Sequence, residues 1–268
     1  MPVVAPSTHV LTFTATRVVK QYRSWDHGEA DREWAGLSVL HRHAPGLSPQ
    51  PLRRRTGHGA PVIEMTRVPG EPLGTTPLSQ AQVGAAARAL TQMYRAVPGQ
   101  TLASLPERRW GPGEMRSRTR RRIQQTPGGT CPAAAEALSA AGAWLSSDDS
   151  AAAPAEPVFA HADGNIANLI WDGERCRLVD FEDSGVSDPA YEVADLLEHP
   201  SVRLPRLISA SDFAGALGLP RTMTPRLLGF RRLMAIYWLL MLLPGNPGHD
   251  RNPAGSLEDQ AGHVLRLL

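Results

Sequence analysis

Four polar residues in the second half of the chain have the types and the spacing for metal-assisted chemistry. His161 and Asp163 come after one short apolar run. Asn168 lies immediately before the next run, and Asp180 closes a third. Carboxylate and amide oxygens bind Mg²⁺ in proteins, usually with phosphate and water completing the coordination. A carboxylate left outside that set could orient a hydroxyl and accept its proton, so these residue types suit phosphoryl transfer to an alcohol.

The elements around these residues are predicted to bring them together. The three apolar runs have the length of short strands, and Asp172-Gly173 between the last two is a strong hairpin signal. Such a hairpin places Asn168 and Asp180 at the same end of its two strands, beside the loop that carries Asp163. The predicted strands are Val158–Phe159, Leu169–Trp171 and Leu178–Val179.

A plainer interpretation is that the aspartates and the asparagine only cap turns, which is the commonest use of these residue types. Each residue taken singly fits that interpretation. All four at these spacings, followed by Asp188-Pro189-Ala190 and Asp195-Leu196, favour a catalytic site instead.

The segment His161-Ala162-Asp163, with Asn168 five residues after the aspartate, and the segment Asp180-Phe181-Glu182 resemble the catalytic loop and metal-binding segment of the aminoglycoside phosphotransferase and choline kinase family. The resemblance implies an α+β, bilobal protein-kinase-like fold with a small antiparallel-sheet N-lobe and a larger, mainly helical C-lobe. It also implies that Asp163 is the catalytic base and that Mg²⁺ binds Asn168 and Asp180. Ala162 stands where the family has glycine. Supporting roles, through hydrogen bonds to the catalytic loop, are expected for His161 and Asp195.

Lysine is almost absent from the chain, which makes the one that remains conspicuous. Of the 28 basic residues, 27 are arginine and one is Lys20. A compact ammonium suits phosphate oxygens in a way that the planar guanidinium does not. Chance survival of one lysine is the alternative, but Lys20 lies in the second of two predicted strands, His9–Phe13 and Arg17–Tyr22. The family places its ATP-phosphate lysine in such a strand.

A helix is predicted from Glu29 to His43, with Trp34, Leu37 and Leu40 as its apolar stripe. Glu33 adjoins that stripe and can point towards the sheet. In kinases a helix glutamate orients the strand lysine, so Glu33 is the expected partner of Lys20. A solvated glutamate is the alternative interpretation, and Glu29 is a weaker candidate for the same role.

The boundary between the two lobes is expected at Pro69-Gly70, giving an N-lobe of residues 1–69 that binds nucleotide and a C-lobe of residues 70–268. The strand before it resembles the family's hinge, where main-chain groups of Thr66, Arg67 and Val68 would meet the adenine. Only 19 residues precede Lys20 and no Gly-rich loop is among them, so we expect either an abbreviated N-lobe or a turn at Thr14–Thr16 whose backbone amides cover the phosphates.

Further helices are predicted in the C-lobe. One begins at Ser79, where Ser79 and Gln82 form a capping box. The others are expected at Ala133–Leu145, at Phe230–Leu243 as a buried core helix, and at Leu257–Leu268, with a loop from Pro244 to Pro253. An arginine run within 116–122 is typical of a solvated helix face; contact with nucleic acid or with an anionic substrate is the alternative.

The acceptor is expected to be a small molecule. Only 15 residues separate Asp180 from Asp195, too few for the peptide-binding segment of protein kinases. Local negative charge near the site would suit a polycationic acceptor such as an aminoglycoside antibiotic, bound in resistance or self-protection; the acidic residues are Asp183, Asp188, Glu192 and Glu198. The alternatives are a metabolic kinase acting on choline, a sugar or an amino alcohol, and a catalytically weak, pseudokinase-like binding protein.

Composition and missing motifs exclude several other classes. A formal charge of +2 does not indicate nucleic acid or a membrane as partner, and the two cysteines lack the spacing of a zinc site or a disulfide scaffold. No P-loop, H-E-x-x-H or G-x-S-x-G motif is present. Together with the resemblance, these features lead us to expect a cytoplasmic monomer or weak dimer that uses Mg²⁺ and ATP, with GTP as the possible substitute.

Overall fold

The computed structural model describes residues 9–24, 27–55, 59–74, 76–126, 131–147 and 155–268. The N-terminal part contains a four-stranded antiparallel sheet in the order β1-β2-β4-β3. Its strands are β1 Val10–Phe13, β2 Arg17–Gln21, β3 Pro51–Arg55 and β4 Val62–Thr66.

Lys20 occupies the interior of this sheet. It lies on β2 with Leu11 of β1 opposite on one side and Ile63 of β4 opposite on the other. Strands β1, β2 and β4 lie where the apolar alternation predicts them. Strand β3 was not predicted, because its Pro-Leu-Arg-Arg-Arg sequence is basic and it forms an edge of the sheet, where side chains can stay in water.

Helix α1, Glu29–His43, has the predicted bounds and packs against the sheet. Its buried face includes Glu33 as well as Leu37 and Leu40, so a carboxylate is carried inside along with the apolar stripe. Burial of a carboxylate is costly unless the group is paired. The helix therefore places the Glu33 carboxylate inside, where it requires a cationic side chain of the sheet as its partner.

The chain leaves the first sheet after β4 and joins a second one within a few residues. Strand β5, Glu71–Pro72, pairs with β7, Leu169–Trp171, which in turn pairs with β8, Cys176–Leu178. Two further strands, β6 Val158–Ala160 and β9 Gly185–Ser187, form an antiparallel pair. The β7–β8 hairpin turns at the predicted Asp172-Gly173, whereas β9 was not predicted.

Helices form most of the remaining C-terminal part. Helix α9 begins earlier than the predicted Phe230, and α10 lies in the segment predicted to be a loop. Both helices have a proline in the first turn, where proline is compatible with a helix as well as with a loop. The helices are α2 Gln80–Ala96, α3 Gly99–Leu102, α4 Pro112–Gln125, α5 Pro132–Ser146, α6 Pro189–Glu198, α7 Pro200–Arg203, α8 Ala210–Ala216, α9 Thr224–Met241, α10 Pro247–Arg251 and α11 Ser256–Leu267.

The helices enclose an apolar core that is separate from the core beneath the first sheet. Helix α9 supplies its centre and packs against α4, α5, α6 and α11. A second cluster joins α1 and α2 to the β7–β8 hairpin. Among the described residues, no helix combines the length and the apolar character needed to cross a bilayer.

Candidate active site

The β7–β8 hairpin brings Asn168 and Asp180 side by side. Leu169 pairs with Leu178, and the Val179 amide donates to the Asn168 carbonyl at 3.0 Å. Asn168 ends a 3-10 helix, Ile166–Asn168, immediately before β7, while Asp180 follows β8 with a left-handed backbone (φ 71°). The amide and the carboxylate that were 12 positions apart in sequence therefore share one end of the hairpin.

Asp163 lies in the loop beside that end. Its Oδ2 accepts a hydrogen bond from the Asn168 side-chain amide at 2.7 Å, and its Oδ1 accepts one from the Asn165 backbone amide at 2.9 Å. A carboxylate has about four lone-pair sites, so two remain for a further donor. Because the Asn168 nitrogen is turned towards Asp163, the Asn168 oxygen is the atom of this side chain that could bind a cation.

His161 holds the same loop to the hairpin. Its Nε2 lies 2.7 Å from the Val179 carbonyl and its Nδ1 lies 3.1 Å from the Asp163 carbonyl. The ring also packs edge-on against Phe181, with 4.9 Å between the centroids. These contacts are with the main chain and the core, which is what a loop-positioning residue requires.

Lys20 is buried among three carboxylates. Only 4% of its surface is exposed, and its Nζ lies 2.7 Å from Glu33 and 2.6 Å from Glu182, with Asp180 also within hydrogen-bond distance. The Tyr22 hydroxyl also donates to Glu33, and the Phe181 amide lies 3.4 Å from Oε1 of Glu33. The ion pair expected between Lys20 and Glu33 is therefore present, and Glu33 is fixed from several sides.

The carboxylates outnumber the ammonium, and this imbalance changes the pKa values in the cluster. Burial and the charge of Asp180 raise the pKa of Glu182 to about 8, although Lys20 opposes the change. Desolvation would raise the pKa of Asp180, but Lys20 lowers it more strongly, so it lies below its usual value. For Lys20, burial alone would lower the pKa. The three carboxylates together raise it by more than burial lowers it, so the pKa lies above its usual value. Near neutral pH Glu182 is therefore mostly protonated, whereas Asp180 stays ionised and can bind a cation.

The donor set fits a divalent cation such as Mg²⁺. Oxygens of Glu33, Asp180 and Glu182 lie within 4.8 Å of one another. A second set of the same kind consists of His9, Glu29 and Glu182. Hard cations take oxygen ligands, and Asn168 lines the same cavity as Asp180. Glu182 and His9 were not predicted to belong to the site; Glu182 was visible in the Asp-Phe-Glu segment, whereas no spacing pointed to His9.

A cavity of about 380 Å³ opens between the two sheets and contains most of the predicted nucleotide-binding residues. At one end lie Lys20, Asn168 and Asp180, and at the other lies the segment 66–68. Apolar side chains form the walls between these ends: Leu11, Phe13, Val18, Met65, Ile170 and Val179. The cavity therefore has a polar, charged end and an apolar slot, which is the division that a nucleotide needs.

The segment predicted to be a hinge offers fewer free groups than expected. The Thr66 amide donates to the Gln50 carbonyl at 3.0 Å, and the Arg67 amide donates to the Thr16 carbonyl at 2.8 Å. Of the three amides, only that of Val68 donates no hydrogen bond to a main-chain carbonyl of the described residues. An adenine edge that binds here would therefore find its donor at Val68, and only carbonyl oxygens at the other two positions.

Arg108, which was not predicted, lies beneath the catalytic loop. It is 6% exposed, and its guanidinium donates to Glu192 at 2.5 Å, to Asp195 at 2.9 Å and to the Ala162 carbonyl at 2.9 Å. The Ala162 amide donates to the other oxygen of Glu192 at 3.1 Å. Both polar groups of Ala162 are thus held, and its backbone is left-handed (φ 69°), a conformation that suits the glycine found there in the family.

The segment that carries Arg108 is fixed by main-chain contacts with β9. The Arg108 amide donates to the Val186 carbonyl and the Val186 amide donates to the Pro106 carbonyl, both at 2.9 Å. A side chain at Gly185 would meet the backbone of residues 106–108, so glycine is required there. No motif marks this arrangement in the sequence, because it depends on residues almost 80 positions apart.

Three of the four acidic residues predicted to bind an acceptor are buried and paired, which corrects that prediction. Glu192 binds Arg108, and Glu198, with none of its surface exposed, binds Arg231 and His263. Asp188 caps α6 through the Ala190 amide and pairs with Arg226. They lie in the interior because α6 packs against α9, which supplies Arg226 and Arg231 as partners of Asp188 and Glu198.

Asp183 is the exception, since it is half-buried beside the site. Its Oδ1 lies 3.4 Å from Arg109, which also binds Glu29 at 3.0 Å. Asp195 lies inside α6. Its brace to the catalytic loop is indirect and passes through Arg108.

Comparisons with known proteins agree with this architecture. The model of the phosphotransferase enzyme family, APH, matches residues 7–223. A choline/ethanolamine kinase family protein from Mesorhizobium loti is 17% identical, with 98% of this chain and 85% of that chain covered and a TM-score of 0.64. No curated protein sequence matched.

Two antibiotic kinases have the same fold. Aminoglycoside phosphotransferase APH(3'')-Id from Streptomyces rimosus, in complex with ADP and streptomycin, is 19% identical over 84% of this chain and 86% of that chain, with a TM-score of 0.58. Spectinomycin phosphotransferase APH(9)-Ia, in complex with ADP and spectinomycin, is 13% identical over 98% and 86%, with a TM-score of 0.62. The predicted bilobal, kinase-like α+β fold is confirmed, and with a family model that matches most of its length the chain belongs to the phosphotransferase enzyme family.

Proposed function

We propose that this protein is an ATP-dependent, Mg²⁺-requiring O-phosphotransferase that acts on a hydroxyl of a small molecule. One observation carries the proposal: the cavity lined by Lys20, Asn168, Asp180 and the segment 66–68 ends beside Asp163, which is hydrogen-bonded to Asn168. Phosphoryl transfer needs positioned phosphates, charge neutralisation and a base near the acceptor. The solved relatives that hold ADP support the choice of nucleotide.

At the nucleotide end, Lys20 donates to phosphate oxygens while Glu33 keeps the ammonium in place. The apolar slot takes the base, with the Val68 amide as its donor. Asn168 and Asp180 hold Mg²⁺, which when bound neutralises charge on the phosphate oxygens. These donors do not distinguish adenine from guanine, so GTP is the second nucleotide to test.

At the acceptor end, Asp163 receives the hydroxyl proton. Its two unused lone-pair sites accept the O–H, and the bonds from Asn165 and Asn168 fix the carboxylate plane for an in-line approach. His161 and, through Arg108, Asp195 keep the loop in register. General bases positioned in this way contribute about 10²–10⁴-fold to a rate.

Two arguments bear on the identity of the acceptor, and they favour different candidates. The family and the two solved antibiotic kinases make an aminoglycoside-type antibiotic the first candidate. The pairing of Asp188, Glu192 and Glu198 with arginines leaves little free negative charge for a polycation. That observation favours the second candidate, a metabolic acceptor with few or no positive charges, such as a sugar or an amino alcohol.

ADP release over a panel of acceptors separates these candidates. The panel contains aminoglycosides, spectinomycin, choline, amino alcohols and neutral sugars, each with Mg²⁺ and ATP or GTP. Stimulation by the first two groups alone supports antibiotic phosphorylation, and stimulation by the others supports a metabolic kinase. Mass spectrometry of the product locates the phosphate. A protein that binds no Mg·ATP and releases no ADP with any of them would be a binding protein, contrary to the proposal.

Exchanging Lys20 for arginine tests why one lysine is retained. The pocket between Glu33, Asp180 and Glu182 is closed around a compact ammonium, and the wider guanidinium cannot enter without displacing the Asp180 carboxylate. We expect Lys20→Arg to raise the KM for ATP at least tenfold and to lower kcat, although the charge is unchanged. Steady-state kinetics measures both constants.

The matched control for that substitution is the reverse exchange at an exposed arginine, Arg95→Lys, which should leave both constants unaltered. Normal kinetics in Lys20→Arg would show that any cation serves at this position. Lys20 would then be a structural counter-ion of Glu33 rather than a phosphate ligand.

A further inference from the structure

A second, basic cavity lies in the helical lobe, between the end of α6, α7 and the helices α9 and α11. Its volume is about 240 Å³, and none of its lining residues borders the nucleotide cavity. Its polar lining consists of four arginines, one histidine and one aspartate: Arg203, Arg206, Arg231, Arg266, His263 and Asp259. The proposed reaction makes no use of any of them.

The ion pairs around this cavity do not balance. Arg203 binds Asp259 at 2.6 Å, and Arg231 binds Glu198 at 2.7 Å. The described residues provide no carboxylate within ion-pair distance of Arg206 or Arg266. Four guanidinium groups thus share two carboxylates, and one of these, Glu198, also binds His263 at 2.6 Å.

The excess positive charge is concentrated at one place. Burial would raise the pKa of Asp259, but the hydrogen bond and charge of Arg203 lower it, and Arg206 and Arg266 lower it further. Arg203 pairs with this carboxylate, and Arg206 and Arg266 line the same cavity. Arg203 uses only Nη1 in its ion pair; its Nε and Nη2 are buried without a partner among the described residues. Arg206 and Arg266 are exposed and therefore solvated, but like charges gathered around one cavity still repel, and an anion bound among them would relieve that repulsion.

We infer that this cavity is a binding site for a phosphate-type anion, either inorganic phosphate or the phosphoryl group of a small metabolite. Guanidinium groups bind phosphate oxygens by pairs of parallel hydrogen bonds. The concave shape and limited volume suit a small ligand. A nucleic acid would instead need a basic stripe along the surface.

Titration calorimetry with pyrophosphate, in EDTA and at low ionic strength, tests the inference on the full chain. Lys20→Ala removes the cation of the nucleotide cleft and should leave one pyrophosphate site intact. Adding Arg206→Ala and Arg266→Ala should weaken that site at least tenfold. The same arginine double variant in the native background should keep the ATP turnover of the native protein.

The control is the double variant Arg95→Ala/Arg121→Ala, which removes the same charge from exposed positions outside the cavity. Introduced into the Lys20→Ala protein, it should leave the pyrophosphate affinity unchanged. Two results would overturn the inference: no binding once Lys20 is replaced, or an equal loss of affinity in both double variants, which would indicate a general effect of net charge. Inorganic phosphate and a sugar phosphate titrated in parallel distinguish the two sources, since only the latter gains affinity from its organic group.

Discussion

Replacing Asp163 with alanine should lower kcat by about 10²–10⁴-fold while the KM for ATP stays within about twofold. The carboxylate lies beside the nucleotide cavity and is not among the residues that line it. Its removal takes away the proposed base but leaves Lys20 and Asp180 in place. ADP release in the presence of the best acceptor gives kcat, and equilibrium binding of Mg·ATP shows that the nucleotide site is intact.

Two controls make the Asp163 result interpretable. Asp250→Ala removes an exposed carboxylate of α10 and should be without effect. Asp163→Asn retains an acceptor for the Asn165 amide, so it should remain folded even if the alanine variant loosens the loop. A rate within tenfold of the native rate in both Asp163 variants would rule out this carboxylate as the base.

Replacing Arg108 with methionine should cost about 3–5 kcal/mol of unfolding free energy, as found when one partner of a buried ion pair is removed. Glu192 and Asp195 would be left buried, and the Ala162 carbonyl would lose its donor. Burial and the charge of Glu192 already raise the pKa of Asp195, to about 7 against the opposing effect of Arg108. Without the guanidinium this acid is expected to take up a proton. Chemical denaturation gives the free energy.

The same variant should lower kcat more than it raises the KM for ATP, because the loop that carries Asp163 loses its support while the cleft keeps its own residues. Arg108→Lys retains the charge but cannot bind Glu192, Asp195 and Ala162 at once, so it should restore stability in part and kcat less. A loss of stability with unchanged kcat in the folded fraction would show that Arg108 serves the core alone.

A double-mutant cycle isolates the ion pair itself. Glu192→Met alone should be destabilising, and the combination with Arg108→Met should be less harmful than the sum of the two, by about 1 kcal/mol or more. Strict additivity would mean that the two side chains act independently, in spite of their 2.5 Å contact. Arg121→Met on the exposed face of α4 is the matched control for removal of an arginine.

The residues nearest the chemistry could be recognised from sequence because their geometry is local. Asn168 and Asp180 are brought together by a hairpin whose turn is encoded by Asp172-Gly173, and Asp163 is only five positions from Asn168. Lys20 was conspicuous through composition. Its pairing with Glu33 followed from a strand and a helix whose periodicities place both side chains inside.

From the sequence by itself, the resemblance of two segments to a known family thus indicated the family and the fold class, while short-range turn and periodicity rules located most of the polar residues around the nucleotide cavity. Only the tertiary structure decided which charges remain available. Asp188, Glu192 and Glu198 read as free acids along the chain, but packing of α6 against α9 and the 106–109 segment turns them towards arginines far away in sequence. Such distant partners are determined by the way whole helices and segments pack together, and no local sequence pattern predicts that packing. The same docking brings Arg203 of α7 against Asp259 of α11, because a guanidinium that packing carries largely out of water is stabilised by a carboxylate there.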